Sequence, residues 1–442
     1  MNTTYYTRIG GKTITADTVK ALLKKGVKPE VDLKALSDYL TFGYVPAPLT
    51  MFNGIYKKPI VPWLNDVKFT SSNKSTESFK EQIVKTLKEP IQQHDETKAS
   101  LLSGGLDSGA ITSIASHSRQ LNTFTAVFED AKYDESIYAK MISNMSDTEH
   151  HEIHIDSSCA KLMSKITQFT EEPTPDISAI PRHILLETAK RHSDSIFVGE
   201  GGDELFISYR EYWIMKRAYK YMPLSKPSMK MVAKMLSYTK YKRHSQALSS
   251  LASTMGNPLE SYKTLKQAMS EQEKQSVLPS ARKETVLKPY FDKYDYIRAM
   301  CMYGMKTALQ DGFLTGFLRL AQASDIELVF PMLTPKMVNL ALSIPFSLKM
   351  KGKGKWIFRQ AMKPYLPKEI LNRPKHPFAC PLMQWITEEY QPMMDELFSK
   401  DYIKSQNIFN YDHIAKLRGQ NNYNQLWPLF SFQLWYKEFV DV

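Results

Sequence analysis

Two short stretches of this chain gather the groups that handle phosphate. Ser103-Gly104-Gly105-Leu106-Asp107-Ser108 stands between a short apolar run, Ala99-Ser100-Leu101-Leu102, and a segment of helical character that starts at Ser108. Adjacent glycines let backbone N–H groups approach an anion with no Cβ in the way. Ser103 and Ser108 add hydroxyl donors, and a helix N-terminus adds partial positive charge that favours phosphate. Asp107 would repel a phosphate unless a cation sits between them, which points to Mg²⁺. The spacing is neither Gly-x-Gly-x-x-Gly nor a lysine-bearing phosphate loop, which argues against a dinucleotide site or a kinase-like nucleotide site. The second stretch, Gly199-Glu200-Gly201-Gly202-Asp203-Glu204, follows Val198 and sets three glycines and three carboxylates side by side. Clustered carboxylates repel and glycines cost folding entropy, so a ligand-free turn explains this composition poorly. Asp107 and Asp203 together could hold Mg²⁺ between the protein and a triphosphate.

The elements around these stretches alternate. Ala99–Leu102, Thr123–Phe128, His151–Ile155 and Ser195–Val198 read as strands, while Asp134–Met145 and Ala179–Arg191 read as helices. Such alternation predicts an α/β fold with a doubly wound parallel sheet, whose ligands bind at the carboxyl ends of the strands. Both glycine-rich stretches would then emerge at one edge. Beyond about residue 210 the pattern is almost wholly helical and predicts a helical C-terminal subdomain. Ahead of the sheet, Thr13–Thr15 reads as a strand, with Asp17–Lys25 and Asp32–Phe42 as helices. Ser71–Ser75 is the most polar patch, and Ser75, or Ser78 with Glu81 three residues on, can cap a helix that should end near Pro90. The expected division is 1–74, an N-terminal segment with its linker, and 75–442, comprising an α/β core to about 210 and a helical part from about 211.

Composition removes several classes of function. The 442 residues include 43% hydrophobic types, enough to fill substantial cores. No run of about 18 apolar residues is present, and the first residues lack a basic region followed by an apolar stretch, so neither a membrane span nor a secretory signal is expected. Cys159, Cys301 and Cys380 are too scattered for a disulfide framework or a metal knuckle and fit a cytoplasmic protein. Of the net charge of +12, residues 210–243 carry +9, so the basicity is local and weighs against a nucleic-acid partner. His150, His151 and His154 would fall on both faces of a strand, which is wrong for a zinc site.

With both stretches described, the chain resembles the asparagine synthetase and β-lactam synthetase superfamily. Ser-Gly-Gly-x-Asp-Ser looks like its pyrophosphate loop, and Gly-Glu-Gly-x-Asp-Glu looks like its second signature. Tyr133-Asp134-Glu135, Gly352-Lys353-Gly354-Lys355-Trp356 with Arg359, Arg373-Pro374-Lys375, Phe378, Pro381-Leu382, Trp385 and Leu426-Trp427 extend the likeness over roughly 32–440. The resemblance implies an ATP-dependent, AMP-forming synthetase that turns a small-molecule or peptide carboxylate into an acyl-adenylate and joins it to an amine or ammonia. Closure of β-lactam or lasso type falls within that chemistry. It assigns Ser103, Gly104, Gly105 and Ser108 to pyrophosphate, Asp107 and Asp203 to Mg²⁺, and backbone groups of Leu102, Val127 and Gly199 to the nucleoside. Lys355 would stabilise charge at the α-phosphate, and Glu200 would take a proton from the attacking amine.

The chain also departs from that pattern. Glutamine-using relatives begin with a cysteine nucleophile, whereas this sequence begins Met1-Asn2 and has no cysteine before Cys159. Residues 1–74 are therefore expected to resemble the end of a glutaminase domain, and a separate glutaminase subunit becomes an alternative ammonia source. Val329 and Thr334 stand where the family has Arg and Asp, and Leu318-Arg319 where it has Asp-Arg, so a substrate less polar than aspartate is expected. A tRNA-modifying ATP pyrophosphatase is a further alternative, disfavoured by the missing cysteine pairs.

Overall fold

The computed structural model describes residues 3–441, except 221–227, 229, 230, 232, 233, 235–251, 255, 353 and 377. Most of the basic stretch 210–243 lies outside the described residues. A small antiparallel sheet opens the chain, with β1 (Tyr5–Ile9) between β2 (Lys12–Ala16) and β3 (Ile55–Lys57). Two helices lie between β2 and β3: α1 (Val19–Leu23) and α2 (Leu33–Phe42), the latter capped by the Asp32 carboxylate. Next comes α3 (Thr76–Gln93), which Ser75 caps as expected. It does not stop at Pro90. Proline so near a C-terminus forfeits one hydrogen bond, and the helix runs another turn with Pro90 and Ile91 buried.

The main sheet has five strands in the order β6-β5-β4-β7-β8, and every pair is parallel. They are β4 (Ala99–Leu101), β5 (Asn122–Val127), β6 (Glu149–His154), β7 (Ser195–Phe197) and β8 (Glu327–Val329). Around them run α4 (Leu106–Ser116), α5 (Ser136–Ser146), α6 (Leu162–Thr170), α7 (Ala179–Lys190), α8 (Gly202–Phe206) and α9 (Arg210–Lys220). From β4 the chain winds outward to β5 and β6, then returns to place β7 on the other flank of β4. That reversal opens a crevice at the carboxyl ends of β4 and β7, where open α/β sheets bind ligands. The four expected strands are present, and β8 is an addition: the region beyond 210 is mainly helical but supplies the outer strand of the sheet.

The N-terminal segment shares one hydrophobic core with the sheet and the C-terminal helix Tyr423–Phe439. The middle of that helix, Gln425–Trp435, is buried on all sides, which is why it is apolar nearly all round. Trp427 Nε1 donates to Pro175 O at 2.6 Å, Trp435 Nε1 to Glu171 O at 3.1 Å, and Tyr39 Oη to Pro428 O at 2.8 Å. The Glu171 carboxylate is fully buried. It accepts from the backbone N–H groups of Val19 and Lys20 at the start of α1 and pairs with Arg319 Nη2 at 3.0 Å. Arg319 thus joins the helical part to the N-terminal segment. Arg319→Leu would strand a buried carboxylate and should lower unfolding free energy by about 3–5 kcal/mol in urea titrations; a loss below about 1 kcal/mol would contradict this account.

Candidate active site

At the end of β4 the chain turns through Ser103–Gly105 into α4. Gly104 has φ +68°, and a Cβ there would lie 2.7 Å from Tyr138 Cβ and 2.9 Å from Ala139 N, so both its conformation and its space require glycine. Gly105 caps α4 with no side-chain hydrogen bond, which leaves the first-turn N–H groups without a side-chain acceptor, as an anion site needs. Ser103 and Ser108 face each other, their hydroxyls 3.1 Å apart. From the end of β7, Gly199 presses its backbone against this turn: a Cβ would sit 2.8 Å from Ser108 N. Gly202 leaves room for a side chain from the other loop, because a Cβ there would come within 2.6 Å of the Asp107 carboxylate. The two glycine-rich stretches therefore form one surface, which opens into a cavity of about 560 Å³.

Lys355 reaches this surface from the helical part. Its ammonium pairs with both Asp107 Oδ2 and Asp203 Oδ1, while Lys375 pairs with the other oxygen of Asp203. The loop that presents Lys355 is conformationally costly: Gly352, Gly354 and Lys355 all have positive φ. Gly354 packs against Ile207 O, and Ile207 is itself a β-branched residue at φ +61°. Beyond Ile207, the Ser208 hydroxyl donates to Asp203 and the Tyr209 hydroxyl to Glu204. On the other flank, Arg373 pairs with Glu135, donates to Gly104 O at 3.3 Å and lies 3.9 Å from the Tyr138 ring centroid. That contact holds Arg373 across the phosphate turn.

The electrostatics follow from burial and pairing. Burial opposes the Lys355 charge, but Asp107 and Asp203 outweigh it and hold the ammonium above its usual range. Burial likewise opposes the Asp203 charge, yet Lys355 and Lys375 prevail and keep this carboxyl well below the usual range. Asp107 moves the other way: burial, joined by the like charge of Asp203, raises it despite Lys355. Burial also lifts Glu200 to about 7. Asp107 Oδ1 and Glu200 Oε2 are buried oxygens with no hydrogen-bond partner. Such oxygens, beside bare helix N–H groups and two serine hydroxyls, fit a Mg²⁺–phosphate ligand. Among the described residues no three His, Cys, Asp or Glu side chains converge on one point, so phosphate oxygens would have to complete the shell.

Leu102, Ser103, Gly104, Gly105, Asp107, Ser108, Gly199, Glu200, Asp203 and Lys355 all line the cavity. Val127 does not: its carbonyl accepts from Ile155 N at 2.9 Å, and Thr125 and Ala126 line the cavity from β5 instead. The three positions expected to shape substrate choice also lie elsewhere. Val329 is buried in β8, Thr334 caps the helix Pro335–Ser343, and Arg319 pairs with Glu171. His150 and His151 bond to Thr123 and Asn122 as strand residues. Not one of the three cysteines lines the cavity. Sequence reasoning gave Glu135, Arg373, Lys375 and Tyr209 no part in the site. The available signal was Arg373-Pro374-Lys375, two cations held apart by a rigid residue.

A parallel sheet with a bare helix N-terminus, paired carboxylates and a buried lysine at its switch point defines an enzyme that works on nucleotide phosphate. Residues 78–437 match the family model for asparagine synthase, so the chain belongs to the asparagine synthase family and is an ATP-dependent, AMP-forming carbon–nitrogen ligase. It is 25% identical to asparagine synthetase [glutamine-hydrolyzing] 1 of Bacillus subtilis, over 98% of this chain and 73% of that relative. A putative asparagine synthetase of Mycobacterium tuberculosis is 26% identical over 98% and 72%. An amidase of Penicillium rubens is 23% identical over 91% and 69%. Among the described residues no helix is long and apolar enough to cross a membrane.

Gly202→Ala tests the shared surface of the two loops. The added methyl must push the Asp107 carboxylate aside, and a displacement of this size should cost about 10²-fold in kcat with the circular dichroism unchanged. Full activity would show that Asp107 does not need this position.

Proposed function

We propose that the chain activates a carboxylate with ATP and passes the acyl group to an amine or ammonia, forming an amide in specialised-metabolite or peptide biosynthesis. A carboxylate oxygen attacks the α-phosphorus, the α–β bond breaks, and pyrophosphate leaves. The amine nitrogen then attacks the acyl carbon, and AMP departs with the C–O bond electrons. Ser103, Ser108 and the first N–H groups of α4 cradle the pyrophosphate, with Leu102 and Gly199 beside the nucleoside. Asp107 and Asp203 would hold Mg²⁺, which supplies positive charge opposite the leaving group. Lys355, kept protonated by its two carboxylates, offsets charge that builds at the α-phosphate. Glu200 accepts the proton that the attacking nitrogen must lose.

The observation that carries this reading is the junction of Asp107 in the first turn of α4, Asp203 in α8 and Lys355 ahead of the helix Trp356–Ala361, beside an unpartnered Asp107 oxygen. A second reading draws support from the bacterial relatives, which are named as glutamine-hydrolysing asparagine synthetases. On that reading a glutaminase partner delivers ammonia, and activity with glutamine should appear only when another protein is added.

Incubation with ATP, Mg²⁺, a panel of carboxylic acids and hydroxylamine should yield AMP, pyrophosphate and a hydroxamate; ADP and phosphate would overturn the mechanism. Lys355→Met should lower kcat by about 10²–10³-fold. Glu200 works as a base only when deprotonated. With its pKa near 7, kcat should fall about tenfold per pH unit below that value. A pH profile flat from about 5 to about 8 would remove Glu200 from the base role.

A further inference from the structure

The cavity is also lined by the helical run that begins at Tyr296, which contributes Met300, Gly304, Ala308, Leu309, Gly312 and Phe313. Tyr209, Tyr212, Tyr262, Met300 and Phe313 line this side. Two π turns, Gly304–Ala308 and Gln310–Leu314, interrupt the run, and such turns often mark functional sites. Gly304 borders this space, and a Cβ there would make ordinary contact with Glu204 Cγ and Tyr212 Oη, both at 3.9 Å. Its φ of −53° is ordinary helix, so neither the backbone nor these neighbours require glycine, while a longer side chain would enter the cavity.

The charges on this side are already engaged. Arg182 pairs with Asp176 at 2.6 Å and lies 4.2 Å from the Phe313 ring centroid. Lys266 pairs with Glu211 at 3.0 Å. Lys375 lies 5.1 Å from the Tyr209 ring centroid and is paired with Asp203, and Glu200 and Glu204 add acidic groups. A substrate bringing a second carboxylate here would meet two acids and three cations that already have partners, whereas an apolar body would meet aromatic rings. The acyl group is bonded to the nucleotide whose phosphates the adjoining loops would hold, so it must extend into the space next to them.

We propose that this chamber seats the body of the acyl group, and that the acid activated carries an apolar body of aromatic size in place of the second carboxylate of aspartate. The proposal rests on the ligase reading above. Two stable acyl-adenylate mimics share the nucleoside and differ only in the acyl part: 3-phenylpropanoyl-sulfamoyl-adenosine and aspartyl-sulfamoyl-adenosine. By calorimetry with the full chain, the phenylpropanoyl compound should bind at least about tenfold more tightly, as burial of an aromatic ring allows. Gly304→Leu should erase that preference while leaving AMP affinity unchanged, and Gly304→Ala should retain it. Equal or tighter binding of the aspartyl compound to the wild-type chain overturns the inference and spares the ligase reading. If neither compound nor ATP binds, the ligase site itself is wrong and the inference falls with it. The wild-type comparison decides the matter even if Gly304→Leu does not fold.

Discussion

A lysine ammonium buried between two carboxylates is the constraint around which this molecule is arranged. Lys355 alone in that position would lose its proton, and Asp107 and Asp203 without it would repel each other across a dry gap. The three groups come from the end of β4, the end of β7 and a loop in the helical part. To bring them together, the chain gives up ordinary backbone geometry at Lys355 and Ile207 and gives up side chains at Gly199, Gly202 and Gly354. The small residues in the two loops are therefore fixed by charge placement as much as by turn geometry.

The fourth charge sets the balance. Lys375 brings the cluster to two cations and two anions, a neutral set that can sit in a buried cleft. In surroundings of low polarisability, each charge acts more strongly on a neighbouring phosphate than it would in water. Arg373 then closes the cleft on the far side by joining Glu135, Tyr138 and Gly104, all belonging to the first phosphate turn or the helix beside it. Tyr209 joins the charged cluster to the aromatic lining, since its ring lies 5.1 Å from Lys375 and its hydroxyl donates to Glu204.

Much of the site was legible because its chemistry is local. Ser103 to Ser108 and Gly199 to Glu204 are contiguous, and a strand followed by glycines and a helix can be read from one line of sequence. Lys355 was legible only by resemblance, since a lysine in a basic loop carries no spacing signal of its own. Val127, assigned by resemblance, ends a strand whose last carbonyl accepts from Ile155 N in the ladder, a pairing that no local pattern announces. β8 escaped because three residues in a helical region show no alternation to read. Leu318-Arg319 reads in sequence as a departure from the family's charged pair, while Arg319 itself holds Glu171, a contact 148 positions away in the chain that no local pattern encodes.

The late position of β8 affects how the protein is made. β7 is synthesised at Ser195–Phe197, but its outer neighbour emerges from the ribosome only after Glu327–Val329, and Lys355 later still. Until then one flank of β7 is an open parallel edge, and the carboxylates of the second loop have no cation to settle them. Parallel pairing across so long a separation is slow to close and prone to interruption. A nascent chain stalled before residue 327 would hold the complete phosphate turn and both aspartates, yet lack the strand and the lysine that make them a site.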